Sequence, residues 1–227
     1  MASATSLTAA VRRLDVDAIR ASLAERPDLV DHRDRRGRTW LHLACGLEGA
    51  GAPAVELADL LLRLGLGIDD AAFTEADGTW HATPLWFAIA RGRNLALARH
   101  LLDRGCSPEH CLWAASFADD LDAIDLLVGR GATVDPVFEG YTPFLEAVAT
   151  SHFSSAERLL RHGADPDVRD PKGDTALHLM LRKRSDPAHL RTAIEHGART
   201  DLPGADGMTA AEVIATRRSP ELRALLG

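Results

Sequence analysis

Cys106, His110 and Cys111 stand close enough in this 227-residue chain to suggest a metal site. Structural zinc wants four convergent nitrogen or sulfur ligands, usually from two short pairs. Here the cysteines are five residues apart and no second pair exists. They read as small core or cap residues, so neither a metal nor a cofactor is expected. Asp119, Asp120, Asp122 and Asp125 could supply an acid–base pair, but only in a pocket that raises one carboxyl pKa. They fall where a turn enters a helix, which predicts a capped and solvated helix start. Ten histidines are scattered. Of these, His100, His162 and His196 lie near predicted helix ends, where imidazole suits the dipole and the free carbonyls. Arg33, Arg35, Arg36 and Arg38 form a basic cluster interrupted by Asp31 and Asp34. It is either a solvated loop or a contact for an acidic partner. No phosphate-binding, nucleophile-elbow or zinc-protease motif occurs. No catalytic residue is assigned, and the chain is not expected to be an enzyme.

The composition sets outer limits. Apolar residues make up 46% and charged residues 26%, as in ordinary globular proteins. A net charge of -7 argues against nucleic acid, which needs clustered positive charge. Three irregularly spaced cysteines make no disulfide framework and fit a reducing cytoplasm. No stretch approaches 18 uncharged apolar residues, and the N-terminus lacks the pattern of a signal peptide. Lys occurs only at 172 and 183 against abundant Arg, Ala, Leu and Asp, which hints at a bacterial source.

The elements that would hold any site repeat. Helices predicted to start at Thr39, Thr83, Thr142, Thr175 and Thr209 are separated by 44, 59, 33 and 34 residues. The long gap holds one more unit, "HCLWAASFADD", with His110 at the Thr position. Each start is followed by a second apolar-periodic stretch closed by Gly, as in "SAERLLRHG" (155–163) and "LRTAIEHG" (190–197). Spacings of three and four make these stretches amphipathic helices, and the Gly suits a left-handed cap. Thr can cap the first helix, and Pro84 and Pro143 suit its first position. Leu41, Leu85, Leu112, Phe144 and Leu177 should face the core. Ala44, Ala88, Ala115 and Ala147 should let paired helices approach.

A unit of about 33 residues with "DRRGRTWLHLAC" (34–45) and "DPKGDTALHLML" (170–181) resembles the ankyrin repeat. The resemblance covers essentially the whole chain. It implies an all-α ankyrin-repeat solenoid of stacked helix-turn-helix units with short β-hairpin fingers. One domain is expected over 1–227: an N-terminal cap (6–36), internal units 37–82, 83–109, 110–140, 141–173 and 174–207, and a C-terminal cap (208–227). No flexible linker interrupts the registers.

The departures from the repeat mark the candidate site. Residues 46–54 should lengthen the connection between two helices, and 67–82 should form an outsized finger. Residues 103–111 leave no room for a finger, with Ser107 capping and Pro108 opening the next helix. His42 and His178 hold the signature position, but Trp86 and Trp113 replace it in adjacent units. The two indoles imply thicker packing or an opened aromatic surface. In the ankyrin pattern, partners meet the finger tips and the late first-helix positions. Mapped by register, the candidate contacts are Arg35, Arg36, Arg38, Trp80, His81, Arg91, Trp113, Phe117, Phe138, Tyr141, Arg182 and Lys183. Phe117 and Phe138 could instead fold inward to plug the missing finger.

The resemblance implies a cytoplasmic, monomeric module that binds another protein through finger tips and the concave helix surface. Two rivals remain. One is an inhibitor or immunity-type protein that occludes a toxin or enzyme. The other is a small-ligand site or unusual enzyme in the irregular middle units, which would need a closed pocket lined by Trp86, Trp113 and acids.

Overall fold

The computed structural model describes residues 1–73 and 81–226. Trp80 therefore lies outside the described residues, as do residues 74–79 of the expected long finger. Among the described residues, α-helices come in seven consecutive pairs: α1 (Ala4–Arg12) with α2 (Val16–Glu25), α3 (Trp40–Cys45) with α4 (Gly51–Arg63), and α5 (Pro84–Ala90) with α6 (Leu95–Asp103). Then follow α7 (Leu112–Phe117) with α8 (Leu121–Gly129), α9 (Pro143–Thr150) with α10 (Phe153–Arg161), α11 (Ala176–Lys183) with α12 (Pro187–Glu195), and α13 (Ala210–Thr216) with α14 (Pro220–Arg223).

By contact density the chain divides into two units, residues 1–114 with 129–132, and residues 115–128 with 133–227. In the first unit, α3 packs against α1 and α5, while α4 packs against α2 and α6. In the second, α11 packs against α9 and α13, and α10 packs against α12. Within each unit these helix pairs thus share apolar faces with their neighbours, because no pair can bury that face alone. The side chains expected in the core are there: Leu41, Leu85, Leu112, Phe144 and Leu177 are at most 1% exposed, and the four alanines are fully buried.

The helix starts follow the threonines. The hydroxyls of Thr83 and Thr142 accept from the N–H groups of Trp86 and Leu145, both at 3.3 Å. Thr209 and Glu212 form a reciprocal capping box. At Thr39 and Thr175 a histidine three residues on closes the box. The glycines that end the second helices are left-handed, from Gly65 (φ +96°) to Gly197 (φ +100°).

Three local expectations need correction. Residues 46–54 do not simply lengthen a connection, because α4 begins at Gly51 and absorbs the second half of the segment. Pro108 does not open a helix: 108–110 form a turn, with the Glu109 N–H donating to the Ser107 hydroxyl at 3.3 Å. His110 keeps the register that buries Leu112 and Ala115, but it has a positive φ (+63°) and α7 starts only at Leu112. The described fingers are short, as the resemblance implies. Among the described residues they hold single antiparallel bridges, at Ala72–Ala82, Phe138–Tyr141, Arg169–Thr175 and Pro203–Thr209. None falls in 103–111, where the missing finger was expected.

Candidate partner-binding site

In the first unit, three elements enclose an open groove of about 580 Å³. Arg12, in the last turn of α1, forms one wall. Arg36 and Arg38, from the turn before α3, form a second. Asp34 builds that turn: its backbone N–H donates to the Arg38 carbonyl at 3.0 Å, and its carboxylate pairs with the Arg38 guanidinium at 2.6 Å. Burial alone would push the Asp34 carboxyl up, but the Arg38 guanidinium and the backbone N–H groups of Arg38 and Arg36 hold it below its usual range. Trp86, Phe87 and Arg91 of α5 complete the lining, with Phe73 beside them. The guanidinium carbons of Arg36 and Arg38 lie 5.5 and 5.9 Å from the Phe73 ring centre, in cation–π range.

His42 fixes the back of this groove. It is fully buried, and its Nδ1 accepts the Thr39 backbone N–H at 3.1 Å and lies 2.8 Å from the Thr39 hydroxyl. Nε2 therefore carries the proton and donates to the carbonyls of Asp70 at 3.0 Å and Ala82 at 3.3 Å. One imidazole thus ties the start of α3 to both sides of the next finger base. Burial, only partly offset by those carbonyls, pushes the His42 pKa down to about 4. His178 repeats the device in the second unit, where Nε2 donates to the Met208 carbonyl at 3.0 Å.

The expected contact residues separate into groups. Arg36, Arg38 and Arg91 meet in the groove, and Arg35 is exposed on the same turn. His81 is half-buried and packs against His110, ring centres 4.8 Å apart. Trp86 lines the groove, whereas Trp113 is half-buried and does not. In the second unit Phe117 is 56% exposed, with its edge against His152, so it does not fold inward. Phe138 and Tyr141 are half-buried, and their backbones pair at the finger base at 2.9 Å. The exposed Arg182 pairs with Asp174, whose side chain is only 5% exposed. Lys183 reaches the carbonyls of Val148 and Ala149 at the end of α9, a structural cap that register reasoning missed. Arg12 and Phe73 were missed as well, because repeat register says nothing about an atypical cap or an atypical finger.

The remaining chemistry is structural. Cys45, Cys106 and Cys111 are buried free thiols, and burial pushes Cys106 up to about 12, far from reactive thiolate. Among the described residues, no group of three or more His, Cys, Asp or Glu could hold a metal. Asp119 accepts from the Ser155 N–H at 3.0 Å, and Asp120 caps α8 at the Ala123 N–H at 3.0 Å. His100 and His162 bind carboxylates of the preceding second helix, Asp59 and Asp125, at 2.7 Å, and not helix carbonyls as expected. His196 does meet a carbonyl, that of Thr192, at 2.8 Å. The closed, acid-lined pocket with both indoles is not what the described residues form; the groove is open and lined by arginine.

Residues 111–203 match the family model for ankyrin repeats, in three copies. A putative ankyrin repeat-containing protein of Treponema pallidum is 35% identical over 44% of this chain and 34% of its own length. The mouse B-cell lymphoma 3 protein homolog is 28% identical over 82% of this chain and 34% of its own. The chain thus spans about a third of the length of these relatives. The crystal structure of the ankyrin repeat domain of Bcl-3 has a TM-score of 0.78 at 23% identity, covering 100% of this chain and 99% of that one. The human ASB11 ankyrin repeat domain gives 0.73 at 23% identity, covering 97% and 96%. Residues 111–203 thus carry ankyrin repeats, and the fold along the chain is that of ankyrin repeat domains.

Proposed function

We propose that the chain is a non-catalytic module that binds another protein through its fingers and the exposed side of its first helices. The observation that carries this reading is the groove of the first unit, a wide cleft whose described lining combines aromatic surface with arginine charge. Aromatic and Arg side chains dominate binding hot spots. On the first unit the proposed contacts are Arg35, Arg36, Arg38, His81, Arg91 and Trp113, with Trp80 assigned by sequence alone. On the second they are Phe117, Phe138, Tyr141, Arg182 and Lys183. Phe117 supports this reading best there, being 56% exposed in a helix whose neighbours are buried. No helix among the described residues is long and apolar enough to cross a membrane. The net charge of -7 disfavours nucleic acid, and three unpaired cysteines fit a reducing cytoplasm, where a monomer would act. The same acidity supports a second reading, an inhibitor or immunity-type role against a basic toxin or enzyme.

Affinity capture from the source organism tests the module reading. A specific protein should be retained by the wild-type chain and lost or weakened with Arg91→Ala or Phe117→Ala. Equal retention by both variants would remove these surfaces from the proposal.

A further inference from the structure

The groove of the first unit gathers arginine side chains. Although the chain carries a net charge of -7, the described lining residues of the groove include four arginines and no Asp or Glu. Arg38 is partly neutralised by Asp34 at 2.6 Å. No carboxylate of the described residues lies within 4.0 Å of the guanidinium of Arg12, Arg36 or Arg91, and all three side chains are exposed. Between these charges lie the rings of Phe73, Trp86 and Phe87, so the surface is cationic at its walls and apolar at its floor. Arginine holds carboxylates bidentately, and low-dielectric walls concentrate the field in a cleft.

We propose that this groove takes an acidic segment of a partner protein: an extended stretch of Asp and Glu side chains that pairs with Arg12, Arg36 and Arg91, around an apolar side chain seated on Phe73 and Trp86. The proposal rests on the module reading above and adds the chemistry of the partner. The carbonyls of Asp70 and Ala82 held by His42 keep the base of the finger beside Phe73 in place, so part of the groove floor is set before binding, while the exposed arginines are ordered by the occupant.

The test uses the whole chain and a short synthetic peptide that alternates Glu and Leu around a central Phe. Its partners are a twin in which every Glu is Lys, and a single-stranded oligonucleotide as a second polyanion. Calorimetric titration at low salt should show binding of the Glu peptide, weakened by added salt, and no binding of the Lys twin. Arg36→Ala and Arg91→Ala should each weaken it about fivefold to tenfold. Arg191→Ala, at an exposed arginine of the second unit, should leave it unchanged. Both groove arginines are exposed, so the variants should melt like the wild type. The proposal is overturned if the Lys twin binds as well, if the Glu peptide does not bind, or if the Arg36 and Arg91 variants keep full affinity. Equal, arginine-dependent binding of the oligonucleotide also overturns it, by making the groove a general polyanion site. A captured partner that ignores the groove variants would leave the module reading standing while this one falls.

Discussion

Acid should loosen this protein through His42. The imidazole is fully buried, its Nδ1 already takes the Thr39 N–H, and its Nε2 proton is spent on two finger carbonyls. A second proton could enter only at Nδ1, where it would oppose the Thr39 N–H. The folded pKa is about 4, against about 6.5 in an unfolded chain. Between those values the unfolded state binds more protons, so stability is fully present above about pH 6.5 and is lost as pH falls toward 4. At pH 5 the linkage amounts to about 2 kcal/mol, rising to about 3 kcal/mol below pH 4. Urea melts of the wild type and of His42→Gln between pH 7 and pH 4.5 isolate it, since glutamine does not titrate. The wild type should lose on the order of 2 kcal/mol more than the variant over that range, even though the variant starts lower. Parallel pH curves for the two proteins would refute the argument, because the acid sensitivity would then belong to other groups.

Two further outcomes follow from packing. Leu177→Ala should cost about 2–5 kcal/mol in denaturant melts, since Leu177 is 1% exposed. Arg182→Ala should cost only about 1 kcal/mol: it strips Asp174 of its ion pair, but Arg182 is 55% exposed and screened, and Asp174 keeps the Ala205 N–H at 2.9 Å. A larger midpoint shift for Arg182 would invert this ranking. Gly92→Ala should lower the thermal midpoint clearly, by overpacking worth about 1–3 kcal/mol or more. A Cβ at Gly92 would meet the Cys45 carbonyl oxygen at 2.2 Å, and that backbone cannot swing aside as a long side chain could. An unshifted midpoint would show that α3 and α5 can separate.

The fold was legible because the repeat writes its physics into local residues. Thr before the first helix, Leu two positions on, Ala at the helix contact and Gly after the second helix each answer a local demand, and each recurs. What register could not supply was contact between irregular parts. Arg12 belongs to a cap with no consensus, and its approach to Arg36 and Arg91 depends on how α1 leans on α3. Lys183 reads as a late first-helix contact, yet its long stem carries the ammonium to the carbonyls of α9. Arg182 reads as a free surface charge, yet the turn at Asp170–Asp174 puts a nearly buried carboxylate beside it. The start of α7 was misplaced because Pro108 and His110 spend the expected first turn as a tight reversal.

The division of the chain into two units has a spectroscopic consequence. All four tryptophans, Trp40, Trp80, Trp86 and Trp113, fall within 1–114, and the single tyrosine, Tyr141, falls in the other unit. Indole emission therefore reports on one unit alone, while far-ultraviolet ellipticity reports on helices in both. The protein carries a built-in test of its own cooperativity. If the two signals trace one transition in urea, the array melts as a single block. If the ellipticity retains a second step after the indoles have reached solvent, the units let go in sequence, and the native tryptophans say which went first.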